Sequence, residues 1–255
     1  MWNKAIFCDV DMTLLPDKRQ MPSGTLIEGL HQATKAGCLV VIATGRIRES
    51  VRNVFQSIEG EAVFACSNGG DITWKGQPIS FSSMNPEDVD PMALVAAKYG
   101  CIAYISAERP YWAGPISSCC RAFCCFQRLP VLSYKRGMLL SQLYQVSVVG
   151  KGESYEQCFD EFANIWGRRY HIISSHRDIF DVSSTSKAEI IEKVCTAFQI
   201  PRERTWSFGD GENDAIMMRQ SAHPYVMDWA PASMLEEFPL HCHRVEEVLP
   251  SIIRL

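Results

Sequence analysis

The stretch CDVDMTLL, residues 8–15, decides how the rest of the chain is read. It follows the apolar residues Ala5, Ile6 and Phe7, so a short buried strand is expected over 5–10. In an extended segment alternate side chains point the same way, which should bring Asp9 and Asp11 to face one spot together. Two anions so placed repel each other. Something at that spot has to make the arrangement tolerable.

Working outward, strand and helix patterns alternate. SGTLIEGLHQATKAG spaces Leu26, Ile27, Leu30 and Ala33 as on a helix opening at Ser23 and closing at Gly37. CLVVIAT (38–44) is a continuous run of the kind a parallel strand covered on both faces requires. RIRESVRNVFQSI puts Ile47, Val51, Val54, Phe55 and Ile58 on one helical face, and AVFACS (62–67) is the next strand. After NGG (68–70), DITWKGQPISF reads as a hairpin turning at Lys75–Gly76. From about 84 to 180 the character changes. A break rich in Pro, Asn and Ser introduces a helix near 91–99, strands near 101–106, 144–149 and 170–175, and a helix near 153–166. That is enough for a separate α+β unit. The first pattern then resumes with helix SKAEIIEKVCTAF, strand TWSFGD (205–210), helix ENDAIMMRQ, strand PYVMD and a last helix that Pro250 could end early. The expected fold is α/β, a Rossmann-like parallel core over 1–83 and 181–255 with an inserted α+β cap over 84–180.

Bulk properties narrow the function. With 47% hydrophobic and 21% charged residues among 255, the chain has material for a sizeable core. A net charge of −4 gives no reason to expect nucleic acid or an acidic membrane as partner. The start is acidic within nine residues and no apolar run reaches a membrane-spanning length, so a cytoplasmic protein, monomer or homodimer, is expected. Eleven scattered cysteines fit small buried hydrophobes in a reducing compartment. The cluster Cys119, Cys120, Cys124 and Cys125 lacks the paired spacing of zinc sites, and packing is the preferred reading.

Ligands of open parallel sheets bind beyond the carboxyl ends of the strands. Here those ends read DVDMT, ATGR (43–46), SNGG (67–70) and FGDGEND (208–214). Asp9, Asp11, Asp210 and Asp214 converging on one rim would be costly without a cation, and Mg²⁺ with oxygen ligands and a substrate phosphate resolves that. The hydroxyl of Thr44 beside Gly45, the charge of Lys187 at a helix start and the amide of Asn213 near a helix N-terminus suit the phosphate.

In order and spacing these segments resemble the haloacid dehalogenase superfamily, and the position of the insert resembles its Cof-type branch with a large α/β cap. The resemblance implies a phosphatase for a small phosphorylated metabolite, a sugar phosphate among the options. It implies Asp9 as the nucleophile that becomes an aspartyl phosphate, and Asp11 as general acid and then base. It implies Mg²⁺ on Asp9, Asp11 (through its carbonyl) and Asp210, with Asp214 either a ligand or the holder of Lys187 or of a metal-bound water. It implies a phosphate cradle of Val10, Thr44, Gly45, Lys187 and Asn213. Lys193 is the alternative to Lys187, Asn68 and Gly69 shape the rim, and Arg46 either reaches toward substrate or is solvated. The cap offers Tyr111, Trp112, Arg121 and His171 for the leaving group, with core packing the default for the aromatics. One departure stands out: Met12 occupies a position where the family usually has glycine, so it must adopt an ordinary conformation or bear strain. A phosphomutase of the phosphomannomutase type and a non-catalytic phosphometabolite-binding protein are the rival readings.

Overall fold

The computed structural model describes residues 2–16, 21–130, 132–176 and 178–255. The side chain of Cys119 lies outside what is described. The chain divides into two compact units, Met1–Phe81 with Lys187–Leu255, and Ser82–Ser186.

The first unit is built on an eight-stranded sheet. Its strands are β1 (Lys4–Cys8), β2 (Cys38–Ala43), β3 (Val63–Cys66), β4 (Asp71–Trp74), β5 (Gln77–Phe81), β11 (Thr205–Gly209), β12 (His223–Met227) and β13 (Leu240–Cys242). In space they run β13-β12-β11-β1-β2-β3-β4-β5, parallel up to β3 and antiparallel for the β4–β5 hairpin. That hairpin turns at Lys75 and Gly76, whose φ of 51° and 72° give the primed turn that matches strand twist.

Alternation explains why both sheet faces are apolar. Ile6, Cys8, Val40 and Ile42 join one cluster with Leu26 and Leu30 of α1 (Gly24–Lys35), Val51 and Val54 of α2 (Arg48–Val54), and Leu249 and Ile252 of α9 (Val245–Arg254). Ala5, Phe7, Leu39 and Val41 join another with Ile190 and Val194 of α6 (Ala188–Phe198) and Met217 of α7 (Glu212–Met218). α1 begins where expected, the Ser23 hydroxyl accepting the Leu26 N–H at 3.0 Å. α2 is shorter than its pattern, giving way after Val54 to a single 3₁₀ turn over Gln56–Ile58, yet all five residues of the expected face are buried. α9 continues through Pro250, which sits on its exposed side. α8 (Ala232–Glu237) and β13 carry no periodic signal long enough to have been expected.

The second unit holds a five-stranded antiparallel sheet in the order β7-β6-β8-β10-β9. These strands are β6 (Ile102–Ala107), β7 (Pro110–Ala113), β8 (Leu143–Val149), β9 (His171–His176) and β10 (Ile179–Ser183). One face, with Ala103, Ile105, Val146, Val148, Phe180 and Val182, packs on α3 (Val89–Lys98) and α5 (Gly152–Trp166). The other carries Tyr104, Ser106, Gln145, Ser147, Asp181 and Ser183, all buried. The expected cap ended at 180, in the middle of β10. That strand pairs with β8 and β9, so the unit extends to Ser186. The cysteine-rich stretch forms α4 (Ser118–Gln127), where Cys120 and Cys124 are buried and Cys124 accepts the Trp112 indole N–H at 3.1 Å. All cysteines described are free.

Candidate active site

β1 and β11 are neighbours, and the Asp9 N–H continues their pairing by donating to the Phe208 carbonyl at 3.0 Å. Later elements lie on one side of β1 and earlier ones on the other, so this is the point where strand order reverses and a crevice opens. Asp9 and Asp210 are therefore delivered to adjacent strand ends by topology alone.

The extended stretch ends at Cys8, two residues earlier than expected. Beyond it the chain turns on itself: the N–H groups of Thr13 and Leu15 both donate to the Val10 carbonyl, at 3.4 and 2.8 Å. The alternation that would have aimed Asp9 and Asp11 at one spot is lost in that turn. Asp9 is buried, while the Asp11 side chain is 49% exposed and grips Arg46 instead. Arg46 Nε donates to Asp11 Oδ2 at 2.9 Å and Nη2 contacts Oδ1, a two-point clamp from a nearly buried guanidinium. Arg46 is thus neither solvated nor aimed away from the acids.

Lys187 immediately precedes α6 and is fully enclosed. Its Nζ donates to Asp9 Oδ1 and to Asp214 Oδ1, each at 2.6 Å. Burial alone would lower its pKa, but the carboxylates of Asp214 and Asp9 outweigh this and hold it above the ordinary lysine value. Lys193 instead pairs with Glu189 one helical turn away. Asp214 uses its second oxygen to accept the N–H groups of Asp210 (3.2 Å) and Gly211 (3.0 Å), closing the start of α7. The glycines of FGDGEND follow from this packing. A Cβ on Gly209 would meet the Asp214 Cβ at 2.5 Å, and one on Gly211 would meet Asn213 Oδ1 at 2.4 Å.

One carboxylate oxygen each from Asp9, Asp210 and Asp214 lies within 4.8 Å of the others. Burial, and then the charge of Asp214, push the Asp9 carboxyl well above its ordinary range, which Lys187 only partly offsets. The same two causes raise Asp210 to about 7, against the hydrogen bond from Thr13 Oγ1 at 3.3 Å. Counting charges, Arg46 serves Asp11 and Lys187 is shared by Asp9 and Asp214, so Asp210 has no cationic partner of its own among these groups. A crowded set of hard oxygen donors with surplus negative charge suits a small divalent cation. The side chain of Asp11 does not belong to that set.

Around this centre, Val10 is buried in the turn, and Thr44 is buried at the end of β2 with its hydroxyl accepting the Arg46 N–H at 3.1 Å. Gly45 and Asn213 are half-buried. Asn68 takes a left-handed φ of 55° just past β3, and its N–H donates to the Thr44 carbonyl at 3.0 Å, tying two strand ends together. In the second unit Trp112 is a packing residue, with its ring 4.8 Å from Tyr104 and 5.6 Å from Phe123, while Arg121 and His171 are exposed. Sequence reasoning missed Trp229. Its indole N–H donates to the Met12 carbonyl at 3.0 Å, and only the unusual Met12 hinted that the loop needs support.

Residues 6–243 match the family described as haloacid dehalogenase-like hydrolase. The chain belongs to that family. Among relatives, a Mycoplasma pneumoniae protein with a provisional phosphatase name is 28% identical over 120 residues, 42% of this chain and 41% of that one. A Streptococcus pyogenes protein, also provisionally named a phosphatase, is 23% identical over 237 residues, 88% of this chain and 87% of the other. Among solved structures, a haloacid dehalogenase subclass IIB sugar phosphatase superposes with a TM-score of 0.81 at 21% identity, over 98% of each chain. At that identity the likeness establishes a haloacid dehalogenase fold with its cap. No helix among the described residues is long and apolar enough to cross a membrane.

Proposed function

We propose that this haloacid dehalogenase-like hydrolase is a Mg²⁺-dependent phosphatase that cleaves a small phosphorylated metabolite through an aspartyl phosphate on Asp9. The observation that carries the reading is the placement of Asp9: enclosed, held by Lys187 at 2.6 Å, and grouped with Asp210 and Asp214 at the ends of adjacent parallel strands. A Mg²⁺ held by Asp9 and Asp210, with Asp214 as a further ligand or as the holder of Lys187, would neutralise charge on the phosphoryl oxygens.

The chain's own groups account for the remaining steps. Lys187 favours the ionised form of Asp9, partly offsetting its burial and the charge of Asp214, and fixes its direction, while Asp214 in turn fixes Lys187. An Asp9 oxygen attacks phosphorus as the bond from phosphorus to the ester oxygen breaks. Asp11, half-exposed to water, takes up a proton on leaving its pair with Arg46 and gives that proton to the leaving oxygen. The resulting Asp11 carboxylate takes a proton from water, whose oxygen attacks phosphorus, and the Asp9–phosphate bond breaks to release inorganic phosphate. Val10, Thr44, Gly45 and Asn213 frame the phosphoryl group. The Ser82–Ser186 unit supplies selectivity for the leaving group, and its buried polar sheet face is of a kind that suits hydroxyl-rich substrates such as sugar phosphates. Free cysteines among the described residues accord with a cytoplasmic setting.

The test is hydrolysis of p-nitrophenyl phosphate and a panel of phosphorylated metabolites, with EDTA, with Mg²⁺, and with Asp9→Asn. Turnover should vanish in EDTA and return with Mg²⁺, and Asp9→Asn should lower kcat by on the order of 10³-fold or more. Wild-type rates in Asp9→Asn would overturn the mechanism. A wild type that binds esters but cleaves none would replace it with a binding protein, and dependence on a bisphosphate activator would replace it with a mutase.

A further inference from the structure

The loop just after Asp9 and Asp11 contains a strained residue that the steps above do not use. Met12 has a φ of 63°, in the left-handed region where a side chain crowds the neighbouring carbonyl. A residue with a Cβ stays there only when its surroundings dictate it. Two hydrogen bonds do so. The Met12 N–H donates to the Leu15 carbonyl at 3.2 Å, and the Met12 carbonyl accepts the Trp229 indole N–H at 3.0 Å.

Trp229 comes from 217 residues further along and is itself held in place. It lies in the turn after β12, which the Ala230 N–H closes on the Met227 carbonyl at 2.9 Å and the Asp228 N–H anchors to the Cys242 carbonyl at 3.1 Å. Its ring is half-buried against the core and meets the His243 ring edge-on at 5.5 Å. The indole N–H is therefore a directed donor rather than a wandering one. The carbonyl it holds belongs to the peptide group joining Met12 to Thr13. Rotating that peptide would swing Asp11 on one side, and Thr13, which donates to Asp210, on the other.

We propose that Trp229 is a positioning residue, whose indole N–H locks the Met12 peptide and thereby sets Asp11 and Thr13 for phosphoryl transfer. It substitutes an external hydrogen bond for the backbone freedom that glycine would give this loop. The proposal rests on the phosphatase reading for its catalytic consequence, and on the hydrogen bond alone for its structural one.

A double-mutant cycle tests it, using Trp229→Phe, which keeps the ring and removes the donor, Met12→Gly, which removes the strain, and both together. kcat and KM for p-nitrophenyl phosphate with Mg²⁺ are measured, and thermal melting without substrate. Trp229→Phe should lower kcat about tenfold with KM within about twofold, a loss of about 1.4 kcal/mol in transition-state stabilisation. Adding Met12→Gly should bring kcat back to within about twofold of Met12→Gly alone. The melting temperature should show the same coupling, Trp229→Phe costing less in the Met12→Gly background. A ring that merely fills space would be neither rescued nor coupled. Additive losses in kcat and melting, or wild-type kcat in Trp229→Phe, would overturn the proposal. Should the wild type hydrolyse nothing, the phosphatase reading fails, and the melting cycle still decides whether this hydrogen bond holds Met12.

Discussion

The two sheets of the molecule keep their polar groups in different places. In the parallel sheet of the first unit, helices cover both faces, and β1 and β2 are apolar on either side except for Lys4, whose buried ammonium donates to the Ile252 carbonyl at 2.8 Å. Polar groups are pushed to the strand ends, where Asp9, Thr44 and Asp210 sit and where Lys187, at the start of α6, reaches Asp9. In the antiparallel sheet of the second unit, one face alone is apolar. The other carries a chain of donors across its strands, Gln145 Nε2 to Ser147 Oγ at 2.9 Å and Ser147 Oγ to Asp181 Oδ1 at 2.6 Å. A sheet apolar on both faces can offer chemistry only at its rim, while the second sheet keeps a buried network of polar groups across one face. The rim concentrates charge at a point and suits bond-breaking, and the face spreads hydrogen-bonding groups over an area and suits recognition.

Three experiments sharpen or break that contrast. The largest effect is expected at the rim. Lys187→Met leaves two buried carboxylates facing each other without their cation, so kcat should fall by about 10²- to 10³-fold. Stability should fall by about 3–5 kcal/mol, read as an earlier thermal transition. A variant that melts and turns over like wild type would show that the rim charges are not coupled.

A smaller effect comes from the rim's surplus acidity. Asp210, raised from 3.8 to about 7 by burial and by Asp214, binds a proton in the folded protein over a range where the unfolded chain has lost it. Its contribution to stability is therefore fully present below about 4 and lost as pH rises through about 7. In EDTA the melting temperature should drop between pH 6 and pH 8, Mg²⁺ should restore it at pH 8, and Asp210→Asn should flatten the slope. A slope unchanged in Asp210→Asn would assign it to other groups.

The smallest effect is expected on the polar face. Gln145→Leu should change the ratio of kcat/KM between sugar phosphates by about tenfold. Hydrolysis of p-nitrophenyl phosphate should stay within about twofold. Equal losses for every ester would place Gln145 in the folding of the unit rather than in recognition.

The parallel core was readable because its signals are local and redundant. Runs such as CLVVIA, a serine cap at Ser23 and the hairpin at Lys75–Gly76 each specify one element with little alternative. The strand ends could be paired on paper because parallel topology sends them to one edge. The turn at Val10 was not readable: its bonds run to Thr13 and Leu15, and nothing in DVDMT announces that Asp11 leaves the strand direction. Arg46 remained ambiguous for the same reason, since its partner was placed by that turn. Boundaries in the second unit slipped because IFDVS (179–183) is a short run whose strand character comes from its neighbours on both sides. Trp229 was out of reach, since a hydrogen bond spanning 217 positions leaves no local trace.

The pairing of β1 with β11 has a consequence for synthesis on the ribosome. Residues 4–8 find β2 within the first fifth of the chain, but their other edge waits until residue 205 has emerged, and the lysine that meets Asp9 is itself at position 187. Throughout most of translation a nascent chain carries its acidic loop without the cation, the neighbouring strand or the indole that shape it. The growing polypeptide is thus inert by construction, and turnover can begin only once the last quarter of the chain has closed the sheet.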